Sequence, residues 1–391
     1  MNLFLNTEQN WSKTEDFINL LIITDSHLNN VGGSETFLRN LIYHLSDKNY
    51  QLTVIQLADE LDNAQPFDRS IQDIAKLVHL PLGKIYNWTA LNVIKQIFSI
   101  AIRSHIHLVL SIHEKADIIA AILPKRIKKV STRRDMLICP SKALLRIRKI
   151  LSSRFDVITA PCEAILKKVT KFENVSKDRW KIVIYNGIDL RKYNPAVEPA
   201  PDIIQLKEEG GIAGVCVANP SKVKGHVYLI EAFRQVVRKF PKAKLFMVGN
   251  DLGMFKDLIE IIREKELQNN IHPLGSRHDI PHVLTACDFI VSSSVSEGLS
   301  NALIEGLSSG LPCIGTNVGG TPEIIHHGIN GFLVPPRDPD ALAASIIRFC
   351  KSRELRQQMG LKSREIAEKY FDVRKNMAQY DLLFRQLLHT N

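Results

Sequence analysis

Short apolar runs rich in β-branched residues alternate with amphipathic helical patterns along the whole chain. This alternation is typical of βαβ units, which form parallel sheets flanked by helices. In the first half the pattern predicts strands at Asn19–Thr24, Leu52–Leu57, Ala75–Leu80, His107–Ile112, Lys128–Thr132, Asp156–Ala160 and Lys181–Tyr185. In the second half it predicts strands at Ile212–Val217, Lys244–Val248, Asn270–Leu274, Phe289–Ser292, Leu311–Gly315 and Gly331–Val334. We therefore expect an α/β fold with two doubly wound parallel sheets.

A proline-containing segment without periodicity, Tyr193–Asp202, separates the two halves as an inter-domain linker does. The chain of 391 residues is long enough for two such domains. Its end predicts two helices, Asp338–Cys350 and Leu355–Leu388. We expect an N-terminal domain at 1–195, a C-terminal domain at 203–370, and a last helix at 371–391 that packs back on the first domain.

The six cysteines, Cys139 among them, form no C-x-x-C pair, and most lie in apolar runs, which favours a reducing compartment. The N-terminal residues contain neither a basic region followed by an apolar one nor a stretch typical of a secretory signal. The most apolar stretches, such as Leu91–Leu110, are interrupted by charged residues and histidines. A cytoplasmic protein is therefore expected.

The net charge of +10 is concentrated in one part of the chain. Between Lys115 and Lys192 there are 20 Lys/Arg against 7 Asp/Glu. Within it, the basic segment Lys125–Lys149 contains an amphipathic helix pattern that either contacts an anionic membrane peripherally or is a solvated helix face. No recognition-helix, zinc or aromatic RNA-binding signature accompanies the charge, so nucleic acid is not an expected partner.

The densest candidate chemistry follows the strand Phe289–Ser292. A loop of small residues leads into a helix whose predicted cap is Ser300 and whose end is marked by Gly310. Such a junction directs backbone N–H groups and a positive dipole end toward the carboxyl edge of the sheet, where a pyrophosphate can bind. The junction residues Gly298, Leu299, Ser300 and Asn301 are therefore candidates for donor binding.

Two acids belong to the same segment, Glu297 in the loop and Glu305 in the helix. A carboxylate only accepts hydrogen bonds, so two acids in one cleft suit a ligand rich in hydroxyls, such as a ribose and a hexose. On local evidence alone, a solvated loop residue and a surface helix residue remain the alternatives.

Two further strand-to-helix turns are candidates for phosphate binding. Lys224 lies between the strand Ile212–Val217 and the next helix, where its ammonium can reach a diphosphate, although the P-loop pattern is absent. Gly33 belongs to a Gly-Gly-Ser-Glu turn after the first strand, where G-x-G-x-x-G does not occur and a merely tight turn is the alternative.

Together these motifs resemble the retaining glycosyltransferases of family 4, over nearly the entire chain. The resemblance rests on residues 32–35 (GGSE), 185–189 (YNGID), 224–226 (KGH), 229–233 (LIEAF), 274–275 (LG), the pair Glu297 and Glu305, and 318–323 (VGGTPE). It implies the GT-B architecture of two facing Rossmann-like domains.

The resemblance also implies roles for single residues. Glu305 would hold the ribose hydroxyls of a nucleotide sugar, and Glu297 would contact the transferred sugar and stabilise its developing positive charge. Lys224 would neutralise the departing diphosphate. Fixed positive charge of this kind removes the need for a metal, and no cofactor is implied. The one Asp-x-Asp, Asp338-Pro339-Asp340, is interpreted as a helix cap.

The sequence departs from the family pattern at two places. An arginine that commonly precedes the lysine by five residues is replaced by Asn219. Asn219 remains a candidate for donor binding because it can donate hydrogen bonds, but it carries no charge, so stabilisation of the leaving group would rest more heavily on Lys224. A histidine that often follows the strand Lys128–Thr132 is replaced by Arg133 and Arg134, which become candidates for the acceptor side of the active site. His113 is a further candidate there, with a structural histidine as the alternative.

The expected activity is transfer of a sugar from a UDP-linked donor to a hydroxyl of a cell-surface glycan or glycolipid, as in polysaccharide or lipopolysaccharide biosynthesis. A degenerate nucleotide-binding module without turnover and a nucleotide-sugar epimerase or hydrolase are the alternatives. A dinucleotide oxidoreductase is disfavoured because its glycine fingerprint is absent.

Overall fold

The computed structural model describes residues 17–29, 32–58, 70–83, 88–134, 136, 142–173, 180–207, 210–251 and 253–390, without the side chains of 88, 89 and 142–145. The N-terminal residues 1–16 and Cys139 lie outside this range, as do residues 135 and 137–141 of the basic segment.

The first sheet has seven strands in the order β3-β2-β1-β4-β5-β6-β7. They are β1 (Ile18–Thr24), β2 (Tyr50–Gln56), β3 (Lys76–His79), β4 (Leu108–Ile112), β5 (Lys128–Thr132), β6 (Val157–Ala160) and β7 (Trp180–Val183). Strand β1 is parallel to both neighbours, with Ile22 opposite Val54 on one side and Leu110 on the other. Its apolar residues are almost completely buried, as expected for a parallel strand covered on both faces.

Helices connect these strands and cover the sheet. They are α1 (Gly33–Ser46), α2 (Ser70–Ile74), α3 (Trp88–Arg103), α4 (Glu114–Ile122), α5 (Lys142–Ser152) and α6 (Glu163–Glu173), and α7 (Pro201–Leu206) follows the last strand. In α1 the buried residues Phe37, Leu38, Leu41, Ile42 and Leu45 recur at helical spacing. The amphipathic pattern of the sequence therefore corresponds to the buried face of the helix.

The second sheet has six strands in the order β10-β9-β8-β11-β12-β13. They are β8 (Ala213–Val217), β9 (Lys244–Val248), β10 (Ile271–Gly275), β11 (Phe289–Ser292), β12 (Cys313–Thr316) and β13 (Gly331–Val334). The connecting helices are α8 (His226–Lys239), α9 (Phe255–Glu264), α10 (Ile280–Ala286), α11 (Asn301–Ser308), α12 (Thr321–Ile324) and α13 (Pro339–Lys351), preceded by a 3-10 helix at Lys222–Lys224. In the core of this sheet the rings of Phe289 and Phe332 both pack against Phe349.

All thirteen predicted strands are present, and four of them, at Lys128–Thr132, Lys244–Val248, Phe289–Ser292 and Gly331–Val334, have the predicted bounds. The α/β fold with two parallel sheets is therefore confirmed. In both sheets the strand order reverses beside the first strand, between β1 and β4 in the first and between β8 and β11 in the second. The carboxyl ends of the strands at such a switch point are where open α/β sheets bind ligands.

The prediction of one long helix at Leu355–Leu388 is wrong. The structure has two helices there, α14 (Arg353–Tyr370) and α15 (Val373–His389). The chain leaves the helical path between them because its backbone pairs with Ile188, whose N–H donates to Phe371 O at 2.8 Å and whose carbonyl accepts from Val373 N at 3.1 Å. The periodicity of the sequence could not reveal this break, since the partner lies far away in the chain.

The chain divides into two compact units, one of Met1–Ser131 with Phe384–Asn391 and one of Thr132–Leu383. In the first, the ring of Phe384 packs edge to face against Tyr50 at the start of β2. In the second, the hydroxyl of Tyr380 lies 3.4 Å from that of Thr159 in β6. Helix α15 thus contributes residues to the core of each unit, and the domain boundaries predicted at 195, 203 and 370 remain predictions.

The five cysteines within the described part of the chain, Cys162, Cys216, Cys287, Cys313 and Cys350, are free thiols. Burial raises the pKa of each of them, so they behave as small apolar groups.

Candidate active site

Lys224 lies at the carboxyl edge of the second sheet, in the connection between β8 and α8. The next residue, Gly225, has the left-handed conformation (φ 65°), and a β-carbon there would lie 2.3 Å from the carbonyl oxygen of Ser293. Only glycine allows this close approach. The turn therefore fixes Lys224 against the segment that follows β11.

Two hydrogen bonds fasten the turn to that segment. Val295 N donates to Val223 O at 2.8 Å, and the hydroxyl of Ser293 donates to the carbonyl of Lys224 at 3.0 Å. The two connections belong to β8 and β11, the neighbours at which the strand order of the second sheet reverses. Lys224 and Glu297 are thus held at the switch point of this sheet.

Lys224 and Glu297 form a salt bridge in which the ammonium nitrogen lies 2.7 Å from Oε2 of the carboxylate. Ser294 donates a hydrogen bond to the same oxygen at 2.9 Å. The side chain of Lys224 is 30% exposed and that of Glu297 is 12% exposed. Both charged groups therefore remain accessible to a ligand while their positions are fixed.

The loop after Glu297 is supported from the β12–α12 connection. Gly320 N donates to Gly298 O at 2.7 Å, and the Cys162 thiol lies 3.7 Å from the same oxygen. Gly319 has a positive φ of 53°, and a β-carbon there would lie 1.6 Å from the carbonyl oxygen of Glu297. The Gly319-Gly320 pair therefore packs against the candidate site.

Helix α11 begins directly after this loop. The predicted cap is confirmed, because the Ser300 hydroxyl accepts from Leu303 N at 3.4 Å, and Leu299 beside it is buried. The first N–H groups of a helix have no partner inside it, so Asn301 and its neighbours offer donors at the positive end of the helix dipole. The loop and the helix together form a place for an anionic group.

Glu305, one turn into α11, has a different environment from Glu297. It is half-buried and hydrogen-bonded to the hydroxyl of Tyr193. Burial raises the pKa of this carboxyl to about 7, an effect that the nearby ammonium of Lys192 and the Tyr193 hydrogen bond partly oppose. With its pKa at about 7, Glu305 changes charge in the neutral pH range.

Asn219 follows β8 and holds a neighbouring loop. Its Oδ1 accepts from Asn250 N at 2.9 Å. The amide oxygen is thus used within the protein, and Asn219 adds no charge to that of Lys224.

The two arginines after β5 have different environments. Arg133 is buried, and its guanidinium donates to Glu173, which is completely buried, at 2.8 Å. Arg134 is half-buried and donates to Oδ1 of Asn186. Asn186 in turn donates to Oδ1 of Asn301 at 2.8 Å, so Arg134 is connected to the first residue of α11.

The remaining candidates lie in the first unit. Gly33 is the first residue of α1. His113 caps α4 with φ 75° and ψ −176°, a conformation that residues other than glycine rarely adopt. Asp25 accepts from Lys115 N at 2.8 Å and Ala116 N at 2.7 Å in the first turn of the same helix. Because Asp25 follows β1 and His113 follows β4, both lie at the switch point of the first sheet.

Sequence reasoning missed several residues that shape the site. Tyr193 was assigned to the linker, Asn186 was quoted only as part of a motif, and Glu323 was given no contact. The carboxylate of Glu323 accepts from Glu163 N and Ala164 N at the start of α6, at 2.9 and 3.0 Å. An acid three residues after a Gly-Gly pair gives no local sign of capping a helix 160 residues away, and no sequence signal pointed to this contact.

Asp338 is a helix cap, as interpreted from the sequence. Its carboxylate accepts from Ala341 N at 2.9 Å at the start of α13. Within the described ranges, no group of three His, Cys, Asp or Glu side chains is arranged to hold a metal ion.

The described part of the basic segment ends in α5, which has an exposed apolar stripe. Ile147 is 44% exposed and Ile150 is 68% exposed, and Arg146 and Lys149 beside them are exposed as well. In the part of the chain that the structure covers, none of the helices has the length and apolar character needed to cross a bilayer.

A cavity of about 580 Å³ lies in the second unit near the linker. It is lined by Lys192, Val197, Glu198, His278, Asp279, Pro281 and His282. Lys192 also interacts electrostatically with Glu305, which is predicted to bind the ribose of the donor. The cavity therefore adjoins a residue of the candidate donor site.

Comparison with known proteins agrees with this architecture. A family model described as "Glycosyltransferase Family 4" matches residues 31–192, and one described as "Glycosyl transferases group 1" matches residues 203–366. The crystal structure of Anabaena HepE in complex with UDP superposes with a TM-score of 0.78 at 22% identity, covering 94% of this chain and 100% of that one. The two sheets therefore form a GT-B fold.

Two curated relatives are similar in sequence. N-acetyl-alpha-D-glucosaminyl L-malate synthase from Bacillus anthracis is 28% identical over 292 residues, which cover 73% of this chain and 74% of that protein. UDP-Gal:alpha-D-GlcNAc-diphosphoundecaprenol alpha-1,3-galactosyltransferase from Escherichia coli is 30% identical over 179 residues, or 44% of this chain and 46% of that one. With both family models matched in order along the chain, the protein belongs to the family 4 glycosyltransferases.

Proposed function

We propose that this glycosyltransferase transfers a sugar from a UDP-linked donor to a hydroxyl of a cell-surface glycan or glycolipid, with retention of the anomeric configuration and without a metal ion. The observation that carries the proposal is the salt bridge between Lys224 and Glu297 at 2.7 Å, beside the N-terminus of α11 and at the switch point of the second sheet. UDP is chosen because the HepE structure and the name of the E. coli relative both contain it.

In the proposed reaction the bond between the anomeric carbon and the diphosphate oxygen breaks, a bond from that carbon to the acceptor oxygen forms, and the proton of the acceptor hydroxyl passes to the departing diphosphate. Negative charge develops on the departing diphosphate, where Lys224 and the first N–H groups of α11 stabilise it. Positive charge develops on the sugar ring, which the carboxylate of Glu297 faces. Glu305, when ionised, accepts from the ribose hydroxyls.

An anionic acceptor fits the charge of the chain. The L-malate and the lipid diphosphate in the names of the two relatives both carry negative charge. In this chain, basic residues outnumber acidic ones by 20 to 7 between Lys115 and Lys192. Peripheral contact of α5 with an anionic membrane, through Ile147 and Ile150 flanked by Arg146 and Lys149, would bring the enzyme to a lipid-linked acceptor.

A donor screen tests whether the protein transfers sugar from a nucleotide sugar. The protein is incubated with UDP-, GDP- and dTDP-sugars, with and without a lipid-diphosphate-linked glycan, and release of nucleoside diphosphate is measured. We expect release with a UDP-sugar that rises with acceptor and disappears in Glu297→Gln. Release that is independent of every acceptor would indicate a hydrolase or epimerase, and nucleotide binding without release would indicate a degenerate module.

Two further measurements test the retention of configuration and the membrane contact. NMR of the product identifies the anomer, and inversion would contradict retention. Sedimentation with vesicles of anionic and of neutral lipid tests the membrane contact, with Ile150→Glu as the variant and Leu361→Glu as a control, since Leu361 is 69% exposed on α14. Equal loss of vesicle binding in both variants would contradict the assignment to α5.

A further inference from the structure

The positive charge around the candidate diphosphate site is low for a ligand of this kind. Lys224 is the only cation among the residues predicted to bind the donor, and its charge is balanced by Glu297 at 2.7 Å. Asn219 contributes no charge, and its amide oxygen accepts from Asn250 N. A diphosphate carries two or more negative charges, so a further cation beside Lys224 and the first N–H groups of α11 would strengthen its binding.

Arg134 is positioned to provide that charge. Its main-chain oxygen lies 3.3 Å from the place where a β-carbon on Gly298 would be, so the chain at Arg134 runs beside the loop that leads into α11. Its guanidinium donates to Asn186, and Asn186 donates to Asn301 at 2.8 Å. The guanidinium is thus connected through one buried amide to the first residue of α11.

The amide that makes this connection is itself fixed. Asn186 is 6% exposed. Its main-chain carbonyl oxygen accepts a hydrogen bond at 3.4 Å from Nδ2 of Asn376, a residue of α15. A buried asparagine with its oxygen on an arginine and its nitrogen on another amide has few alternative rotamers. Arg134 as a residue is only partly buried, in contrast to Arg133, although its Nη1 atom is buried.

We propose that Arg134 is a catalytic residue that binds the diphosphate of the donor together with Lys224, and that Asn186 positions its guanidinium. The proposal rests on the proposed function, since it assigns a partner to the same donor site. A guanidinium suits this role because its planar set of donors can bind two phosphate oxygens at once. Arg134, which follows β5, thereby supplies the positive charge that Asn219 lacks.

Binding measurements separate Arg134 from the rest of the site. Calorimetric titrations with UDP, GDP, ADP and the corresponding nucleosides identify the nucleotide that the unmodified protein binds. Arg134→Gln should then weaken binding of that nucleoside diphosphate about 10- to 100-fold and leave binding of the nucleoside unchanged, because the variant loses only the phosphate contact. Arg134→Lys should recover part of the affinity, and Arg238→Gln, which removes an exposed charge on α8, should have no effect.

A double-mutant cycle tests the role of Asn186. Asn186→Ala should weaken diphosphate binding less than Arg134→Gln does, and the loss in the double variant should be smaller than the sum of the two single losses, since part of the effect of the amide passes through the guanidinium. Thermal melting identifies any variant that is poorly folded, and Arg134→Lys, which keeps the positive charge, serves where the glutamine variant is unstable.

The possible failures are distinguishable. If the unmodified protein binds no nucleoside diphosphate, the proposed function falls and the role of Arg134 falls with it. The role of Arg134 alone is overturned by either of two results. Arg134→Gln could bind the nucleoside diphosphate as tightly as the unmodified protein does, or it could lose affinity for the nucleoside and for the nucleoside diphosphate to the same extent.

Discussion

Lys224 and Glu297 are 73 residues apart in the chain, and their charged groups meet at 2.7 Å. Each follows a different strand of the second sheet, β8 for the lysine and β11 for the acid. The pair can form because β8 and β11 are neighbours in the sheet. The strand order also reverses between these two strands. The two side chains neutralise each other, so in the proposed reaction donor binding replaces part of an internal ion pair with contacts to the diphosphate and the sugar.

Replacing Lys224 by glutamine should lower the rate of transfer about 100- to 1000-fold, the range seen when one preorganised donor to a developing negative charge is removed. The free energy of unfolding should change by less than about 1 kcal/mol, because the pair is partly exposed and such pairs contribute little. Steady-state kinetics and urea unfolding measure the two effects.

Lys222→Gln is the matched control, since Lys222 belongs to the same 3-10 helix and is exposed. It should retain full activity. Equal loss of activity in both variants would show that net charge, rather than the position of Lys224, determines the rate.

Glu305 should make donor binding depend on pH. Burial raises its pKa to about 7, so the carboxyl is increasingly protonated below that pH and can no longer accept two ribose hydrogen bonds. The affinity for the nucleoside diphosphate should therefore rise between pH 6 and pH 8. In Glu305→Gln this rise should be absent, which calorimetry at several pH values measures.

The same carboxyl should affect stability in the opposite direction. Its pKa in the folded state lies above the value of 4.5 for an unperturbed glutamate, so folding favours the protonated form. Its contribution to stability is complete below about pH 4.5 and is lost as the pH rises through about 7. The melting temperature of Glu305→Gln relative to the unmodified protein should therefore increase from pH 5 to pH 8, and a constant difference would contradict the shifted pKa.

Much of the site could be anticipated from the sequence because its parts are local. Gly225, Gly298 and the cap Ser300 are specified by neighbours within a few positions, and strand-to-helix turns at the carboxyl edge are recognisable from the alternation of elements. The convergence of Lys224 and Glu297 required in addition that β8 and β11 be adjacent, which the resemblance implied and local patterns did not.

The parts that could not be predicted depend on distant partners. Tyr193 at Glu305, Glu323 at the start of α6 and Asn186 at Asn301 are contacts over more than 100 residues of chain, and no periodicity encodes them. The break at Phe371 arises in the same way, from pairing with Ile188.

Substitution of His113 tests whether the backbone is strained at this candidate functional position. Its backbone conformation, φ 75° and ψ −176°, is one that glycine adopts without cost, whereas another residue pays about 1–3 kcal/mol. His113→Gly should therefore raise the melting temperature. If the imidazole contacts the acceptor, the variant should also show an increased KM for the acceptor with unchanged nucleotide binding, and greater stability with normal acceptor kinetics would make His113 structural.

Chelation should leave the enzyme active, because Lys224, the start of α11 and Arg134 supply positive charge to the diphosphate. Activity with EDTA should equal activity with Mg²⁺, and a loss that Mg²⁺ restores would contradict the metal-independent reaction. Asp338→Ala serves as a companion variant: losing the cap of α13 should cost about 1 kcal/mol of stability without changing the rate.

The consecutive arginines Arg133 and Arg134 should behave differently on substitution, although the sequence offered no reason to separate them. Arg133 donates to the completely buried Glu173, to which the hydroxyl of Ser152 also donates. Arg133→Met removes one of the two cations that pair with this carboxylate and leaves Arg148 at 3.7 Å, so it should lower the free energy of unfolding by at most about 3–5 kcal/mol. Arg134→Met, which removes a half-exposed group, should cost much less stability and abolish most of the diphosphate affinity.

Chemical unfolding together with nucleotide titration distinguishes the two arginines. Replacing Arg133, Arg148 and Glu173 together by apolar residues should restore part of the stability, because the three charges of this buried cluster are then removed together. Loss of diphosphate affinity in a well-folded triple variant, with normal affinity in Arg148→Met, would mean that Arg133 reaches the ligand after all, and that the division of roles between the two neighbours is wrong.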